Sequence, residues 1–124
     1  AHLAERGLPL TKLHGDQKPG GYPLEELAAL PGVELTASND HDFELVPAGV
    51  NKGRTLALLA LMWGIPLERC AAVGDSANDL AMLRAVGCPI AMGNAAPQVQ
   101  AAAARTVADN SHDGAAQAIL SCLE

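Results

Sequence analysis

The sequence predicts an α/β fold built on a parallel sheet, and two observations support this prediction. From Asn51 onward, apolar segments of strand length alternate with segments that have helical periodicity. The connections between them are short and contain Gly, Pro, Asn or Asp, which favour turns. Strands separated by helices pair in parallel, because each helix returns the chain to the edge from which the next strand starts.

The first 48 residues are divided by Gly and Pro into short segments, so only short elements are expected there. We predict the end of a helix near residues 2–6, strands over residues 10–14, 33–37 and 43–46, and a short helix over residues 23–30. A domain junction is predicted at residues 47–50. It assigns residues 1–48 to a first domain and residues 49–124 to a second.

The second domain contains longer elements. Helices are predicted over residues 52–63, 78–85 and 97–104, and from an N-cap at Asp113 to about residue 123. Strands are predicted over residues 69–73, 89–92 and 106–108. In the first of these helices, four apolar residues recur at helical spacing and are expected to form its buried face: Leu56, Leu59, Ala60 and Trp63.

The composition is typical of a globular chain with an aliphatic core, since 49% of the 124 residues are hydrophobic but only one Trp, one Tyr and one Phe are present. So few aromatic rings disfavour a surface that stacks single-stranded nucleic acid. The net charge of −6, with Lys and Arg scattered along the chain, also disfavours nucleic acid as a partner. These features do not exclude a small phosphorylated ligand, because one or two cations in a cleft can bind it.

Neither a membrane protein nor a disulfide-linked protein is predicted. No apolar stretch reaches the roughly 20 residues that a membrane helix needs, and the first residues lack the apolar segment of a signal peptide. Cys70, Cys88 and Cys122 are odd in number and show no C-x-x-C spacing, which is typical of reduced thiols that pack in a core. We therefore expect a cytoplasmic location.

Residues 70–83 form the most informative segment of the chain. An apolar strand ends in Gly74 and Asp75, and ligands of open parallel sheets bind beyond the carboxyl ends of the strands. Asn78 and Asp79 follow at the start of the next helix, so three oxygen-bearing side chains are expected close together. Oxygen ligands suit Mg²⁺, which keeps several waters and shares its site with substrate phosphate. A turn in which Asn78 or Asp79 merely caps the helix fits the spacing equally well.

A second signal is Lys52, at the start of the predicted helix over residues 52–63. A cation at a helix N-terminus is disfavoured by about 0.3–1 kcal/mol, so this lysine is easier to explain if it lies beside an anion. Free N–H groups at helix N-termini bind phosphate, and an ammonium adds a mobile charge. The alternative is a solvated surface lysine, which one residue by itself does not exclude.

Together these segments resemble a known family. Asn51-Lys52-Gly53, followed by Val73-Gly74-Asp75-Ser76-Ala77-Asn78-Asp79 and Met82-Leu83, resembles motifs III and IV of the haloacid dehalogenase-like (HAD) hydrolases. Four further segments resemble the tail of the Cof-type (class IIB) branch: Ala91-Met92-Gly93-Asn94-Ala95, the Val99 helix, Asn110 and Asp113-Gly114. Residues 43–50 resemble that branch's return strand from cap to core, so the resemblance extends over residues 33–121.

The resemblance implies a Rossmann-like (HAD-like) parallel sheet core, incomplete in this chain and preceded by the end of an α/β cap domain. It also implies that Asp75 ligates Mg²⁺ and that Asn78 contacts the substrate phosphate. Asp79 would support the metal and the lysine, and Lys52 would stabilise the phosphoryl group. The implied reaction is hydrolysis of a phosphate monoester, such as a small sugar phosphate or similar metabolite, through an aspartyl-phosphate.

The sequence departs from the family pattern at the nucleophile. The family's Asp-x-Asp-Gly-Thr motif is absent, and Asp40-His41-Asp42, which lacks Gly-Thr, is interpreted as a loop with His41 on the surface. The resemblance therefore implies a C-terminal portion that is inactive by itself. Without the first core strand, apolar strand edges and a helix face would stay uncovered, so another chain or the missing N-terminal half is expected to cover them.

Two other interpretations stay open. A non-catalytic module would bind phosphate and metal without turnover, as the absent nucleophile predicts. A receiver-like or flavodoxin-like domain would share the parallel sheet, but it leaves Lys52-Gly53 and the Gly93-Asn94-Ala95 loop unexplained. The side chains that are not expected to act as metal ligands or nucleophiles are His2, His14, His41, His112 and Ser76.

Overall fold

The structure, a computed structural model, describes residues 9, 11–16, 21–37 and 41–123. It divides the chain into two units, Ala1–Gly49 and Val50–Glu124. The division lies inside the junction predicted at residues 47–50, although the assignment of the units to a cap and a core stays a prediction. The helix end predicted near residues 2–6 lies outside the described residues.

Within its described residues, the first unit contains a three-stranded antiparallel sheet and one helix. Its strands are β1 (Leu13–Asp16), β2 (Val33–Thr36) and β3 (Asp42–Pro47), and its helix is α1 (Leu24–Ala28). The strand order is β1-β3-β2, and Leu45 of the central strand is paired with Leu13 on one side and Leu35 on the other. β1 extends further than predicted, to Asp16, because that residue pairs with Asp42 at the start of β3.

Phe43 is the centre of the first unit and is only 2% exposed. Its ring covers Gly15, where a Cβ atom would come within 2.5 Å of two ring carbons. Tyr22 packs edge-on against the same ring, with the two centroids 5.0 Å apart. Asp42 is also buried and is the first residue of β3. The loop predicted for residues 40–42 is therefore wrong at Asp42, because strand pairing with β1 begins there.

The second unit alternates helices and strands, as the sequence predicts. In chain order they are α2 (Lys52–Trp63), β4 (Ala71–Gly74), α3 (Leu80–Ala85), β5 (Cys88–Ala91), α4 (Pro97–Gln100), β6 (Arg105–Thr106) and α5 (Gly114–Leu120). Two 3₁₀ turns, Leu67–Arg69 and Ala77–Asp79, precede β4 and α3. The strands pair in parallel in the order β4-β5-β6, which confirms the predicted parallel sheet.

Several boundaries in this unit differ from the prediction, and local hydrogen bonds explain two of them. The N–H of Arg69 donates to the carbonyl of Pro66 in a 3₁₀ turn, so β4 begins only at Ala71. Similarly, α4 ends at Gln100 rather than at residue 104, since the N–H of Ala104 donates to the carbonyl of Pro89 in β5. The alanine run after Gln100 thus forms turns that lead into β6.

Asp113 occupies the N-cap position of α5, as predicted, but its side chain does not cap the helix. Asp113 has a φ of 56°, in the left-handed region, and its side chain makes no capping hydrogen bond. The next residue, Gly114, passes so close to the carbonyl of Ala108 that a Cβ atom would collide with it. The helix ends at Leu120, earlier than predicted.

The core of the second unit lies on both faces of the sheet. Leu83 of α3 and Val99 of α4 are fully buried and cluster with Ala72 and Ala91 of the sheet. Ile90 precedes Ala91 in β5 and is also fully buried, although it is not part of this cluster. Because successive strand residues point to opposite faces, both faces of β5 are covered.

α2 has the predicted boundaries, and both of its ends are capped. The side chain of Asn51 accepts a hydrogen bond from the N–H of Arg54 at 2.9 Å. At the other end, Gly64 takes a left-handed φ of 66°. Near its start the helix touches α3. The backbone of Gly53 lies so close to the carbonyl of Ala81 that a Cβ atom on Gly53 would collide with it. This close approach brings the first turn of α2 beside the turn that precedes α3.

The face of α2 that was predicted to be buried is buried only in part. Ala60 is buried and Leu56 packs against the core cluster, as predicted. The prediction is wrong for Leu59 and Trp63, which are exposed, because α2 packs mainly against α3 within the described chain. Other exposed apolar side chains of this helix are Leu58, Leu61 and Met62. No helix in the described part of the chain combines the length and apolar character needed to cross a membrane.

Candidate functional site

The turn after β4 brings polar side chains together at the carboxyl end of the sheet. Gly74 ends the strand and is buried, and a Cβ atom on it would come within 2.5 Å of the Asp79 Cβ. The absence of a side chain at position 74 therefore lets Asp79 fold back beneath the turn. Asp75 follows Gly74 directly and is exposed, at the edge where ligands of parallel sheets bind.

Asp79 is the most buried charged group of this turn, with 5% of its surface exposed. Its Oδ2 accepts hydrogen bonds from the N–H groups of Asp75 at 3.0 Å and Ser76 at 3.2 Å. Its Oδ1 accepts a hydrogen bond from Lys52 Nζ at 2.5 Å. Three donors thus converge on one buried carboxylate. Their hydrogen bonds compensate for the hydration that the charge loses on burial.

The pKa of Asp79 reflects two opposing effects. Burial by itself raises it, because the charged form loses hydration. The hydrogen bond from Lys52, those from the Asp75 and Ser76 N–H groups, and the charge of Lys52 act the other way and prevail. The net effect holds the pKa of Asp79 below the ordinary value of an aspartate. The carboxylate is consequently ionised at neutral pH and can hold the lysine in place.

Lys52 reaches this carboxylate from the first turn of α2. Its Nζ also donates to Asn78 Oδ1 at 3.1 Å, so one ammonium joins two side chains of the 3₁₀ turn. The side chain remains 51% exposed. The structure therefore brings together Lys52, Asn78 and Asp79, and it differs from the alternative of a freely solvated lysine. An ammonium held in this way, with one side open to solvent, can bind an anion without first losing its orientation.

Asp75 is oriented by neighbours that lie after the adjacent strand. Its Oδ1 accepts a hydrogen bond from Ser76 Oγ at 2.9 Å, and its Oδ2 accepts one from Asn94 Nδ2 at 3.3 Å. Asn94 Oδ1 in turn accepts a hydrogen bond from the N–H of Asn110 at 3.0 Å. Asp75 is also connected to Lys52 through Asp79, whose carboxylate accepts a hydrogen bond from the backbone N–H of Asp75.

No functional role was predicted for Asn94 or Asn110, which belong only to the motifs that carry the family resemblance. Asn94 lies in the loop that follows β5, the strand paired in parallel with β4. Parallel neighbours end at the same edge of a sheet, so the loop after β5 must pass close to Asp75. That topological relation was the available signal. The hydrogen bonds themselves depend on the exact path of both loops.

The donor set can be compared with the needs of Mg²⁺. Within the described residues there is no group of three or more His, Cys, Asp or Glu side chains that could hold a metal ion. Asp75 is a single exposed carboxylate, with the amide of Asn94 beside it. Mg²⁺ binds in this manner, through one or two carboxylates supplemented by water and substrate phosphate rather than through an all-protein cage. The residues present therefore fit one ligand of a magnesium site.

The side chains that were not expected to act as ligands or nucleophiles have the following surroundings. His112 is exposed, with Nδ1 2.7 Å from Asp109 Oδ1, and His14 is exposed in β1 of the first unit. His41 is exposed in the turn before β3. Ser76 directs its Oγ to Asp75. His2 lies outside the described residues.

The comparison with protein families identifies the fold around this site. Residues 23–119 match the model of the haloacid dehalogenase-like hydrolases. The chain belongs to the haloacid dehalogenase-like hydrolases. This confirms the family predicted from the two motifs, and it rules out the receiver-like and flavodoxin-like alternatives.

Individual HAD-like proteins show the same relationship. The chain is 44% identical over 84 residues to phosphatase YwpJ of Bacillus subtilis (strain 168), which covers 68% of this chain and 30% of that protein. A HAD-like hydrolase from Bacteroides thetaiotaomicron superposes with a TM-score of 0.77 at 35% identity, over 92% of this chain and 44% of that one. The subclass IIB sugar phosphatase BT4131 gives a TM-score of 0.80 at 25% identity, over 93% and 44%. The chain thus spans less than half the length of each of these relatives.

Proposed function

We propose that this chain is part of a magnesium-dependent hydrolase of phosphate monoesters, whose substrate is a small sugar phosphate or a similar metabolite. The observation that carries the proposal is the position of Lys52 Nζ, which bonds to Asn78 and Asp79 beside the exposed Asp75. A fixed cation next to an exposed carboxylate matches the needs of a phosphoryl group that binds with a divalent cation. The phosphatases among its relatives support the same activity.

Each residue of the site has a proposed role. Lys52 binds the phosphoryl oxygens through its ammonium, and Asn78 contacts the same group with its side-chain amide. Asp79 acts as a positioning residue, because its carboxylate is bonded to Lys52 and to two backbone N–H groups and holds the lysine in place. Asp75 supplies a carboxylate ligand to Mg²⁺. When bound, the metal neutralises charge on the phosphoryl oxygens.

The nucleophile is the part of the reaction that these residues do not provide. The 124 residues contain no Asp-x-Asp-Gly-Thr motif. The proposal therefore includes a nucleophilic aspartate from a segment that is not in this sequence, and it predicts that the 124-residue chain alone does not hydrolyse phosphate esters. The two roles of the cluster, phosphate binding and hydrolysis, can consequently be tested separately.

Hydrolysis of p-nitrophenyl phosphate with Mg²⁺ tests the activity, on this chain and on a longer product of its gene that carries the nucleophile motif. We expect turnover by the longer product only. Lys52→Met and Asp75→Asn should each lower kcat about 100-fold or more in it, since each removes a charge next to the transferred group. Arg54→Met is the matched control, because it removes an exposed cation from the same helix and should leave kcat unchanged. Hydrolysis by the short chain, or equal losses in Lys52→Met and Arg54→Met, would contradict the proposal.

A non-catalytic module remains the second candidate, favoured by the absent nucleophile motif. Titration of the 124-residue chain with inorganic phosphate and Mg²⁺, followed by NMR of the amides of residues 74–79, measures binding without turnover. Amide shifts that disappear in Lys52→Met, together with a longer product that binds but never hydrolyses, would favour the module. Shifts without Lys52 dependence would contradict both candidates.

The partners and location follow from the same proposal. β4 is an edge strand within the described residues, paired only with β5, and α2 exposes Leu58, Leu61 and Trp63. We propose that another chain, or a segment outside this sequence, covers these surfaces. A cytoplasmic location is proposed from the three free cysteines, because thiols persist in reducing compartments.

A further inference from the structure

The three cysteines have different surroundings, although core packing was predicted for all of them. Cys70 donates a hydrogen bond from Sγ to the carbonyl of Pro66. Cys88 at the start of β5 and Cys122 after the end of α5 instead both lie against the guanidinium of Arg105. Cys88 is partly exposed and Cys122 is exposed, so neither is a core residue. This pair requires a different explanation.

A single nitrogen atom lies between the two thiols. Arg105 Nη2 is 3.5 Å from Cys88 Sγ and 3.7 Å from Cys122 Sγ. The distance between the two sulfur atoms therefore cannot exceed the sum of these two distances. The same nitrogen donates to the carbonyl of Ser121 at 3.3 Å, which holds the guanidinium at the end of α5.

Exposure decides which of the two sulfurs reacts first. A thiolate, rather than a thiol, attacks a disulfide, so the attacking sulfur must be reachable from solvent. Cys122 lies in the turn that ends α5, and its Sγ also donates to the carbonyl of Ala118 at 3.3 Å. Because Cys122 is the exposed member of the pair, it meets a dissolved oxidant first, and Cys88 is then near enough to attack it.

We propose that Cys88 and Cys122 form a redox-active dithiol that is oxidised by a small disulfide such as glutathione disulfide. In the first step the Cys122 thiolate attacks glutathione disulfide, which forms a mixed disulfide and releases one glutathione thiolate. In the second step the Cys88 thiolate attacks the Cys122 sulfur, which forms the Cys88–Cys122 bond and releases the second glutathione thiolate. Two electrons pass from the protein to glutathione, and the protons of the two thiols end on the two released glutathiones.

The dithiol is separate from the site proposed for phosphate. Cys88 begins β5, whereas Asp75 follows the carboxyl end of β4, and the two strands are parallel. The cysteines and the phosphate site therefore lie at opposite ends of these strands. The bond would close a loop of about 35 residues and tie β5 to the end of α5, so oxidation is expected to raise the midpoint of thermal unfolding by several degrees.

The test is oxidation of the 124-residue chain in glutathione buffers of increasing disulfide content. The reaction is quenched with acid, the free thiols are alkylated, and the protein is digested and analysed by mass spectrometry. We expect a peptide pair linked through Cys88 and Cys122, with Cys70 alkylated. Cys70→Ser is the matched control and should give the same linked pair. Cys88→Ser should stop at a mixed disulfide between Cys122 and glutathione.

The role of the guanidinium has its own variant. Arg105→Gln should form the bond several-fold more slowly at a given concentration of glutathione disulfide, because the guanidinium that contacts both sulfurs and the Ser121 carbonyl is lost. Four results would overturn the proposal: a bond that includes Cys70, separate mixed disulfides on Cys88 and Cys122, no reaction, or a bond that forms equally fast in denaturant. Equal rates for the wild type and Arg105→Gln would overturn the role of this contact.

Discussion

Asp79 shows how one buried carboxylate can hold several neighbouring groups in place. Its two oxygens accept hydrogen bonds from Lys52 and from the N–H groups of Asp75 and Ser76. A buried charge is costly unless it is paired and hydrogen-bonded, and here both conditions are met. The same contacts that keep Asp79 ionised also set the direction of the lysine.

Replacement of Asp79 by Asn should therefore destabilise the protein. The variant loses the ion pair with Lys52 and weakens the bonds to the two N–H groups, so we expect the free energy of unfolding to fall by about 1–3 kcal/mol at neutral pH. Urea unfolding of wild type and Asp79→Asn measures this difference. Glu68→Gln, which neutralises an exposed carboxylate, should change the free energy of unfolding by less than about 0.5 kcal/mol.

The difference between wild type and Asp79→Asn should also depend on pH. The pKa of Asp79 is lower in the folded than in the unfolded protein, so its contribution is complete above the unfolded value of about 3.9 and is lost as pH falls through the folded value. We expect a constant difference at neutral pH that shrinks below about pH 4. A difference that stays constant through this acidic range would show that the ionised form of Asp79 contributes nothing.

α2 illustrates how a helix is placed by its first turn. Lys52 and Gly53 are consecutive, and each needs a different neighbour: the lysine contacts Asp79, and the glycine lies against the carbonyl of Ala81. The close approach at Gly53 brings the helix near enough to α3 for Lys52 to reach the turn. Packing between two helices thus determines the position of an ionic contact.

A substitution at Gly53 tests this packing. Alanine normally stabilises a helix by about 1 kcal/mol relative to glycine, but here its Cβ atom would collide with a backbone carbonyl that cannot move aside. We expect Gly53→Ala to lower the free energy of unfolding by about 1–3 kcal/mol. Gly64→Ala at the C-cap of the same helix is the comparison, since space is free there and only its φ of 66° opposes a side chain, at a cost of about 1–2 kcal/mol. A Gly53→Ala variant as stable as the wild type would contradict the contact.

Among the described residues of the second unit, α2 leaves apolar surface uncovered. The last turn of α2 exposes three large apolar residues: Leu61 is 76% exposed, Met62 73% and Trp63 67%. Contiguous exposed apolar residues are uncommon on monomeric proteins and mark surfaces that bind other chains. This pattern supports the proposal that another chain or segment covers α2.

The isolated chain should consequently self-associate through α2. Sedimentation equilibrium is expected to show a mass that rises with concentration. Leu61→Lys combined with Met62→Lys should return the mass to that of a monomer, because charged side chains oppose burial of this face. Ile119→Lys combined with Leu120→Lys changes two exposed apolar residues of α5 and serves as the control. A monomer at every concentration, or loss of association in the α5 variant only, would contradict the use of α2.

Local features of the sequence were sufficient to predict the alternation of strands and helices, the bounds of α2 and the parallel sheet. These features depend on periodicity, caps and turn residues that act over a few positions. The motifs around Lys52 and Asp75 likewise predicted the family, because the order and spacing of those residues are specific. The roles assigned to them stay proposals.

Contacts between distant residues depended on the tertiary structure. The bond between Asn94 and Asp75, the exposure of Trp63 and the sharing of Arg105 by Cys88 and Cys122 join or separate residues far apart in sequence. No local pattern encodes them, because they depend on how helices and loops pack on the sheet and on which surfaces the described chain leaves uncovered. Sequence spacing therefore predicted which chemical groups are available, and packing determined which of them meet.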